Sequence, residues 1–268
     1  MSELRRIPVI VLGVGHVGSA FLAQLMRTQT TLADRYGIAL WPVALANRRV
    51  ALVEADGLLE QVAVLAEARD PGKALAAMPG VQAGMAAGDV IARCAEQGIE
   101  RAIVLDCTAA EGMDPPLARA LELGYGVVLA NKRPLAGPWV DAGVFFNHPL
   151  VRFEATVSSG LPVMSTLRYL VDTGDSVQRI EGALSGTLGY VCSRLEDGQA
   201  FSTVVREAKA KGYTEPDPRE DLSGIDVARK VLILGRQAGW PLEMSHLRVD
   251  PLYPAEMAEI SVEEFLAE

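Results

Sequence analysis

The residues best suited to chemistry lie in one stretch, GYTEPDPREDLSGIDVARK, which runs from Gly212 to Lys230. It combines a dense group of carboxylates with a lysine that leads into an apolar run. Several carboxylates in one place suit a cationic ligand, and a partly buried lysine beside them suits proton transfer. The carboxylates are those of Glu215, Asp217, Glu220, Asp221 and Asp226.

The same stretch also has a purely local interpretation. Ser223 can cap the following helix with Asp226 as the acid of a capping box, and Asp226 and Lys230 are spaced as an i,i+4 ion pair. Two observations weaken it. The helix dipole disfavours a cation near the first turns, and the VLILG run after Lys230 predicts a buried face.

A second candidate site is a glycine-rich turn near the start of the sequence. It follows a short β-branched segment and opens a helical pattern, the context in which a GxGxxG motif binds a dinucleotide. Its glycines permit a tight turn, approach of the pyrophosphate and close packing of the helix. A turn without a ligand is the alternative. The motif consists of Gly13, Val14, Gly15, His16, Val17 and Gly18.

The end of the second predicted strand bears on the choice of cofactor. An NAD site usually carries Asp or Glu there for the ribose hydroxyls. This sequence has Asn47, Arg48 and Arg49 instead, and guanidinium groups suit the 2′-phosphate of NADP. NADP is therefore predicted ahead of NAD, the alternative being a solvated arginine pair in a loop.

Two later predicted strands also end in candidate site residues. Thr108 and Ala109 follow the segment VLDC, and Lys132 follows GVVLAN. Ligands of open α/β sheets bind at the carboxyl ends of the strands, so these residues are predicted to line the cofactor site. Lys132 is placed to contact both a nicotinamide and a substrate oxygen, or else is a strand-end lysine in solvent.

A parallel sheet is needed to position these side chains. Short apolar strands alternate with helical patterns in the first half of the sequence, which predicts a Rossmann-type, doubly wound α/β fold. The predicted strands are Ile7–Gly13, Leu40–Asn47, Arg101–Thr108 and Gly126–Lys132.

The pattern changes at the Pro/Gly-rich stretch 133–139, which predicts a boundary between domains. We expect an NAD(P)-binding domain over residues 1–135 and an α+β substrate-binding and dimerisation domain over residues 136–268. Strands are predicted in the second domain at Val151–Val157 and around residues 179–184. Helices are predicted at Leu188–Leu195, Phe201–Lys209 and Ile225–Gln237.

Composition narrows the class of protein. The 268 residues are 50% hydrophobic, enough for one or two cores, and the net charge of −9 disfavours a nucleic-acid or anionic membrane surface. No apolar run approaches the roughly 18 residues of a membrane span. Cys94, Cys107 and Cys192 are too widely spaced for a disulfide framework or a CxxC metal site. A cytoplasmic protein is expected.

The stretch EPDPREDLSGIDVARK resembles the signature of homoserine dehydrogenases. Further blocks of the same family pattern follow one another along the chain: GVGHVGSAFL, VLDCT, LANK, FEATVSSGLPV and ALSGTLGYV. These sequence motifs are most similar to those of the fungal type of the family. The resemblance implies NAD(P)-linked interconversion of aspartate 4-semialdehyde and homoserine, a step of threonine and methionine biosynthesis. It also implies a homodimer formed through the second domain's sheet.

The resemblance also implies roles for single residues. Glu215 would bind the substrate's amino group, with Asp221 and Asp226 in the same pocket. Lys230 would donate the proton, and Lys132 would orient substrate and nicotinamide and share the relay; which lysine is the acid stays open.

The segment FEATVSSGLPV resembles the family's monovalent-cation site, an ordinary turn being the alternative. By that resemblance, a sodium ion would be held by Glu154, Val157, Ser159 and Leu161.

One departure from the family pattern weakens the expectation of activity. The pattern continues for several strands and helices beyond the catalytic helix, whereas this sequence ends at Glu268. We therefore expect the nucleotide domain to lack its closing helix and the sheet of the second domain to have fewer strands than in the family. We also expect no ACT domain and no aspartate kinase domain. The alternatives are a nucleotide-binding homologue without turnover and another small-molecule dehydrogenase on the same fold.

Overall fold

The computed structural model describes residues 4–267, which form two compact units. The first unit ends at Thr156 and the second begins at Val157. The first unit therefore continues past the Pro/Gly-rich stretch 133–139, because two short helices and a further strand follow that stretch within it.

A seven-stranded sheet forms the centre of the first unit, in the order β4-β3-β2-β1-β5-β6-β7. Its strands are β1 (Arg5–Leu12), β2 (Ile38–Ala46), β3 (Val50–Val53), β4 (Gln82–Ala83), β5 (Ile103–Asp106), β6 (Gly126–Leu129) and β7 (Val151–Arg152). The five strands from β2 to β7 in this order pair in parallel, which confirms the predicted Rossmann-type sheet. β3 pairs antiparallel with β2, because a tight turn after β2 folds the chain straight back, and β4 pairs antiparallel with β3 at the edge of the sheet.

Helices cover this sheet and connect its parallel strands. They are α1 (His16–Tyr36), α2 (Leu59–Glu67), α3 (Pro71–Ala76), α4 (Ala87–Glu96), α5 (Asp114–Glu122), α6 (Arg133–Ala136) and α7 (Trp139–Phe146). Helix α1 buries Gly18, Leu22 and Leu25, which share one helical face. Leu22 joins Val9, Val11 and Leu45 in one apolar core.

The parallel strands end level with one another, and this positions the candidate residues. Leu12 lies opposite both Ala46 and Asp106, and Asp106 lies opposite Leu129. The segments that follow β1, β2, β5 and β6 therefore leave the sheet at the same edge. The strand order reverses between β1 and β5, and such a switch point is where ligands of doubly wound sheets bind.

The strand predicted over Val151–Val157 is wrong beyond Arg152. After β7 the chain turns into a 3-10 helix at Glu154–Thr156. The buried hydroxyl of Thr156 donates a hydrogen bond of 2.6 Å to the carbonyl of Phe153. This local bond stabilises the turn in place of a longer ladder.

The second unit is helical over the residues described. Its helices are α8 (Val163–Asp172), α9 (Gly186–Glu196), α10 (Phe201–Ala210), α11 (Pro218–Leu222), α12 (Ile225–Gln237) and α13 (Val262–Ala267). Val205, Leu222 and Phe265 form a small core that joins α10, α11 and α13. Within residues 4–267, every helix is too short or too polar to cross a bilayer.

The strand predicted around residues 179–184 is wrong. Residues 175–185 have no regular structure, and most of them are exposed. A strand needs a neighbour to accept its hydrogen bonds, and residues 157–267 contain no other strand that could pair with it.

Candidate functional site

The glycine-rich turn after β1 is closed on the protein side and open on the other. A Cβ on Gly18 would lie 1.9 Å from the carbonyl oxygen of Gly13, and one on Gly13 would lie 2.8 Å from the carbonyl carbon of Cys107. Gly13 also has a φ of +93°, which favours glycine. A Cβ on Gly15 would have no neighbour within 4 Å. The turn therefore packs through its first and third glycines and leaves its second open to a ligand.

The turn leads directly into the longest helix of the first unit. Gly15 is the N-cap of α1, without a side-chain cap, and the first turn of α1 has no acidic residue. The unpaired amides and the helix dipole favour an anion there. Val14 is buried, whereas His16 and Val17 are exposed beside the turn. This arrangement fits the pyrophosphate of a dinucleotide.

The turn after β2 uses the side chain of Asn47 to shape the backbone. Its Oδ1 accepts hydrogen bonds from the amides of Arg49 at 2.8 Å and Val50 at 3.0 Å. Its Nδ2 donates to the carbonyl of Gly72 at 3.4 Å. Arg48 and Arg49 are exposed, and neither guanidinium has a partner among residues 4–267. The turn therefore presents two uncommitted cations.

The loops after β5 and β6 are joined by a buried polar network. Asp106 Oδ1 accepts from the Thr108 amide at 2.9 Å and from its hydroxyl at 2.7 Å, and Oδ2 accepts from Asn131 Nδ2 at 3.0 Å. Burial raises the pKa of the Asp106 carboxyl, although its hydrogen bonds oppose that shift. Burial also raises the pKa of Cys107 to about 12, so this thiol stays protonated.

Lys132 lies in the second of these loops. It is the N-cap of α6 and is half-buried, and its carbonyl accepts from the amide of Leu135 at 3.1 Å. Thr108 is also half-buried, and Ala109 is exposed. The glycine-rich turn touches the Cys107–Thr108 backbone at Gly13. The structure thus brings the predicted residues of these three segments together at one edge of the sheet.

In the second unit, the acidic loop is held by two of its own carboxylates. Asp221 Oδ2 accepts from the backbone amide of Glu215 at 2.8 Å. Asp217 caps α11 and forms a two-pronged ion pair with Arg219, whose hydrogen bonds lower the pKa of the Asp217 carboxyl. The exposed carboxylate of Glu215 has no partner within residues 4–267, so it is available to a cationic ligand.

Lys230 lies on α12 with a well-defined pair of acceptors. Its Nζ lies 2.8 Å from Asp226 Oδ2 and donates to the carbonyl of Leu184 at 2.6 Å. The Lys230 side chain is 15% exposed, against 46% for Asp226. An ammonium has three N–H donors. Two of them are accounted for, and the third has no acceptor among residues 4–267.

The predicted capping box at Ser223 and Asp226 is wrong. Gly224 is the N-cap of α12, with a left-handed φ of 74°, and the Ser223 hydroxyl accepts from the amide of Ile225 at 3.3 Å instead of the amide of Asp226 that a capping box would use. Ser223 instead ends α11, and its hydroxyl donates to the carbonyl of Glu220. Asp226 pairs with Lys230. The predicted buried face after Lys230 is confirmed by Leu232, Ile233 and Leu234, although Val231 is exposed.

Comparison with known proteins assigns both units to one family. The family model described as "Homoserine dehydrogenase, NAD binding domain" matches residues 13–141, and that described as "Homoserine dehydrogenase" matches residues 162–266. The homoserine dehydrogenase of Saccharomyces cerevisiae is 37% identical over 268 residues, covering 96% of this chain and 71% of the yeast protein.

This chain belongs to the homoserine dehydrogenase family. A bifunctional aspartokinase/homoserine dehydrogenase of Zea mays is 34% identical over 267 residues, but the chain spans only 28% of its length. A hyperthermophilic archaeal homoserine dehydrogenase in complex with NADPH shares the fold, with a TM-score of 0.68 at 23% identity. That match covers 91% of this chain and 75% of the archaeal one.

The family motif ALSGTLGYV has a structural use that the sequence did not reveal. It forms the start of α9, where Ser185 caps the helix by accepting from the amide of Leu188. Leu184 accepts from Lys230, and the Thr187 hydroxyl donates to the carbonyl of Tyr213 at 2.7 Å. The segment 184–187 therefore contacts both ends of the stretch Gly212–Lys230.

Asp106 and Asn131 are also absent from the predicted site. Asp106 lies in the family block VLDCT and Asn131 in the family block LANK. A charged residue at the end of a buried strand is a usable signal, because a buried carboxylate requires hydrogen-bond donors. Sequence alone does not show which donor is recruited.

The cation site implied for homoserine dehydrogenases stays a prediction. In the first unit, Glu154 begins the 3-10 helix after β7. In the second unit, Val157 is buried, Ser159 has a φ of 54° and Leu161 is exposed, its carbonyl accepting from the amide of Val163. Residues 4–267 contain no cluster of three or more His, Cys, Asp or Glu side chains suited to a metal.

Proposed function

We propose that this chain is an NADP-preferring homoserine dehydrogenase that interconverts homoserine and aspartate 4-semialdehyde. The observation that carries the proposal is Lys230, whose ammonium has two acceptors and one donor left over. It belongs to a loop-and-helix segment in which the carboxylates of Asp217, Asp221 and Asp226 are held by local contacts and that of Glu215 is not. The family membership of the chain supports the same reaction.

The residues of the first unit fit a dinucleotide. Gly13 and Gly18 pack the turn while Gly15 leaves room for the pyrophosphate. Arg48 and Arg49 would pair with the 2′-phosphate. When bound, the nicotinamide supplies hydride transfer at the substrate carbon. Thr108, Ala109 and Lys132 would flank that ring.

The acidic loop of the second unit fits the substrate's amino group. The Glu215 carboxylate is the uncommitted one, and Asp221 fixes the backbone from which it projects. Asp226 would contribute negative charge to the same pocket while it pairs with Lys230. An ammonium ligand requires such compensation when it leaves water.

Lys230 would transfer the proton at the substrate oxygen. In the reduction direction its ammonium donates a proton to the aldehyde oxygen; in the oxidation direction the neutral amine removes the proton of the hydroxyl. Asp226 and Leu184 hold the nitrogen in place for either role. Lys132 is proposed to orient the substrate, and it is the alternative acid.

The decisive experiment is the initial rate of homoserine oxidation, with NADP and NAD in parallel. Turnover with either cofactor is expected. Binding of NADPH without any turnover would contradict the proposed activity and favour the nucleotide-binding alternative. Turnover of other hydroxy compounds in preference to homoserine would favour another dehydrogenase on the same fold.

Replacing Arg48 and Arg49 by alanine is expected to weaken NADP binding and to leave NAD binding nearly unchanged. Each charge-assisted contact with the 2′-phosphate should contribute about 1.5–3 kcal/mol. Neither guanidinium has a partner among residues 4–267, so the loss should not arise from the fold. Dissociation constants of both cofactors measure the effect. Equal losses for NADP and NAD would contradict this assignment.

Glu215→Gln is expected to raise the KM for homoserine more than it changes kcat. The amide keeps the shape of the side chain but loses the charge that attracts the amino group. Glu220→Gln is the matched control, because Glu220 is an exposed acid in the same segment. Steady-state kinetics of both variants measure the difference. An unchanged KM in Glu215→Gln would remove this residue from the substrate pocket.

We also propose a homodimer, a cytoplasmic location, and division of cofactor and substrate binding between the predicted domains. The proposal of a dimer rests on the resemblance alone, and a measurement of the molecular mass in solution tests it.

The proposal of a cytoplasmic location is supported by the thiols. Cys94, Cys107 and Cys192 are all free, as is usual in a reducing compartment.

A further inference from the structure

The carboxylate of Asp106 is completely buried at the carboxyl end of β5. Its two oxygens accept three hydrogen bonds from Thr108 and Asn131, and its backbone carbonyl accepts from the amides of Ala130 at 2.8 Å and Asn131 at 3.2 Å. One residue thus binds the loops after β5 and β6. Burying a carboxylate costs free energy unless hydrogen bonds compensate it, so Asp106 depends on these contacts.

Asn131 completes the connection and is 3% exposed. Besides Asp106, its Nδ2 lies within hydrogen-bond distance of the Ala110 carbonyl at 3.0 Å and of Thr108 Oγ1 at 3.3 Å. Its Oδ1 accepts from the amide of Arg133 at 3.1 Å. Asn131 therefore holds the β5 loop with its nitrogen and the backbone just after Lys132 with its oxygen.

An outer ion pair joins the same two loops. The Arg133 guanidinium pairs with the carboxylate of Glu111. The glycine-rich turn abuts the β5 loop as well, because a Cβ on Gly13 would lie 2.9 Å from the amide nitrogen of Thr108. The placement of Lys132 is therefore coupled to the turn through Asn131, Asp106 and Thr108.

We infer that Asp106 and Asn131 are positioning residues, which hold Lys132 and the Thr108–Ala110 backbone in register with the glycine-rich turn. This inference rests on the proposed function. Neither side chain is exposed enough to be a substrate ligand, so both act through the loops that they hold. A small displacement of a group that orients reactants reduces the rate by up to about 10²-fold.

The test compares Asn131→Ala and Asp106→Asn with Tyr125→Phe. In Asp106→Asn, an NH2 group replaces one of the two carboxylate oxygens. Both oxygens of Asp106 accept hydrogen bonds, so one donor loses its partner. Tyr125→Phe is the matched control, because its buried hydroxyl donates to Ile99 at the opposite end of β6. It removes a buried hydrogen bond from the same unit without touching the loops.

The first measurement is amide hydrogen exchange, which needs no turnover. The Arg133 amide should lose protection in Asn131→Ala, because its acceptor is removed. In Asp106→Asn the loss should fall on the Thr108 amide if the new NH2 group faces Thr108, or on the Arg133 amide if that group faces Asn131 and displaces it. Tyr125→Phe should leave both amides as protected as in the wild type. Unchanged protection in both loop variants would overturn the inference. If the wild type showed no turnover, the proposed function would fail while this measurement still decided the positioning role.

The second measurement separates positioning from stability. At a temperature where all variants are folded, kcat should fall about 10–100-fold in Asn131→Ala and Asp106→Asn, with little change in the KM for homoserine. The double variant should lose little more than either single one, because the residues act as a unit. If Asp106→Asn fails to fold, Asn131→Ala and its exchange data decide alone. A kcat in Asn131→Ala equal to that of Tyr125→Phe would contradict the role.

Discussion

Lys230→Met is expected to lower kcat by about 10²–10⁴-fold while NADPH binding is preserved. Methionine keeps the apolar stem but cannot carry a proton. The loss is expected in kcat because proton transfer belongs to the chemical step. NADPH binding should be preserved because the residues proposed to bind the nucleotide lie in the first unit. Stopped-flow and steady-state rates of homoserine oxidation, with NADPH affinity measured on the same preparations, give the result.

Lys211→Met is the matched control for this variant. Lys211 also forms an i,i+4 ion pair, with Glu207 at 2.6 Å, and lies in the same unit. Its removal deletes an equivalent charge pair and should leave turnover unchanged. A normal kcat in Lys230→Met would end the catalytic role and leave Lys132 as the candidate.

The pH dependence offers an independent check on Lys230. Oxidation of homoserine requires a base to remove the hydroxyl proton, so its rate should rise with pH. That rise should disappear, or move to another group, in Lys230→Met. If Lys230 were only part of a surface ion pair, its removal would cost about 0.3–0.5 kcal/mol of stability and leave the profile unchanged.

Local patterns predicted the elements of the nucleotide-binding half well. The apolar segments that became β1, β2, β5 and β6 are short and β-branched, and the glycine spacing fixes the turn after β1. The antiparallel strands β3 and β4 were not predicted. Their pairing depends on how Asn47 folds the chain back, which composition does not encode.

The site was harder to predict because its partners are distant along the chain. Lys230 and Leu184 are 46 residues apart, and Asp106 and Asn131 are 25 residues apart. Periodicity reports only neighbours within a helix or strand. It therefore identified Lys230 and Asp226 as a pair but did not find the carbonyl that completes the environment of the lysine. The capping box failed for a local reason, because α12 begins one residue later than predicted, with the left-handed Gly224 and not Ser223 as its N-cap.

Gly18→Ala and Gly15→Ala are expected to separate packing from ligand approach in the glycine-rich turn. A Cβ on Gly18 would meet the Gly13 carbonyl oxygen at 1.9 Å, so the backbone of the turn or of α1 must shift. Gly18→Ala should lower the free energy of unfolding by about 3 kcal/mol, the upper end of the usual cost of overpacking. NADPH binding should be lost with the geometry of the turn.

Gly15→Ala should give the opposite combination. Gly15 has an ordinary φ of −76°, and its Cβ would meet nothing within 4 Å, so stability should change little. The added methyl group would occupy the side from which a pyrophosphate approaches, and a loss of about 1.4–2.8 kcal/mol there corresponds to a 10–100-fold weaker NADPH complex. Chemical denaturation and NADPH fluorescence titration measure the two effects separately. Wild-type affinity in Gly15→Ala would show that the cofactor's phosphates do not bind over the second glycine, whatever Gly18→Ala does to the fold.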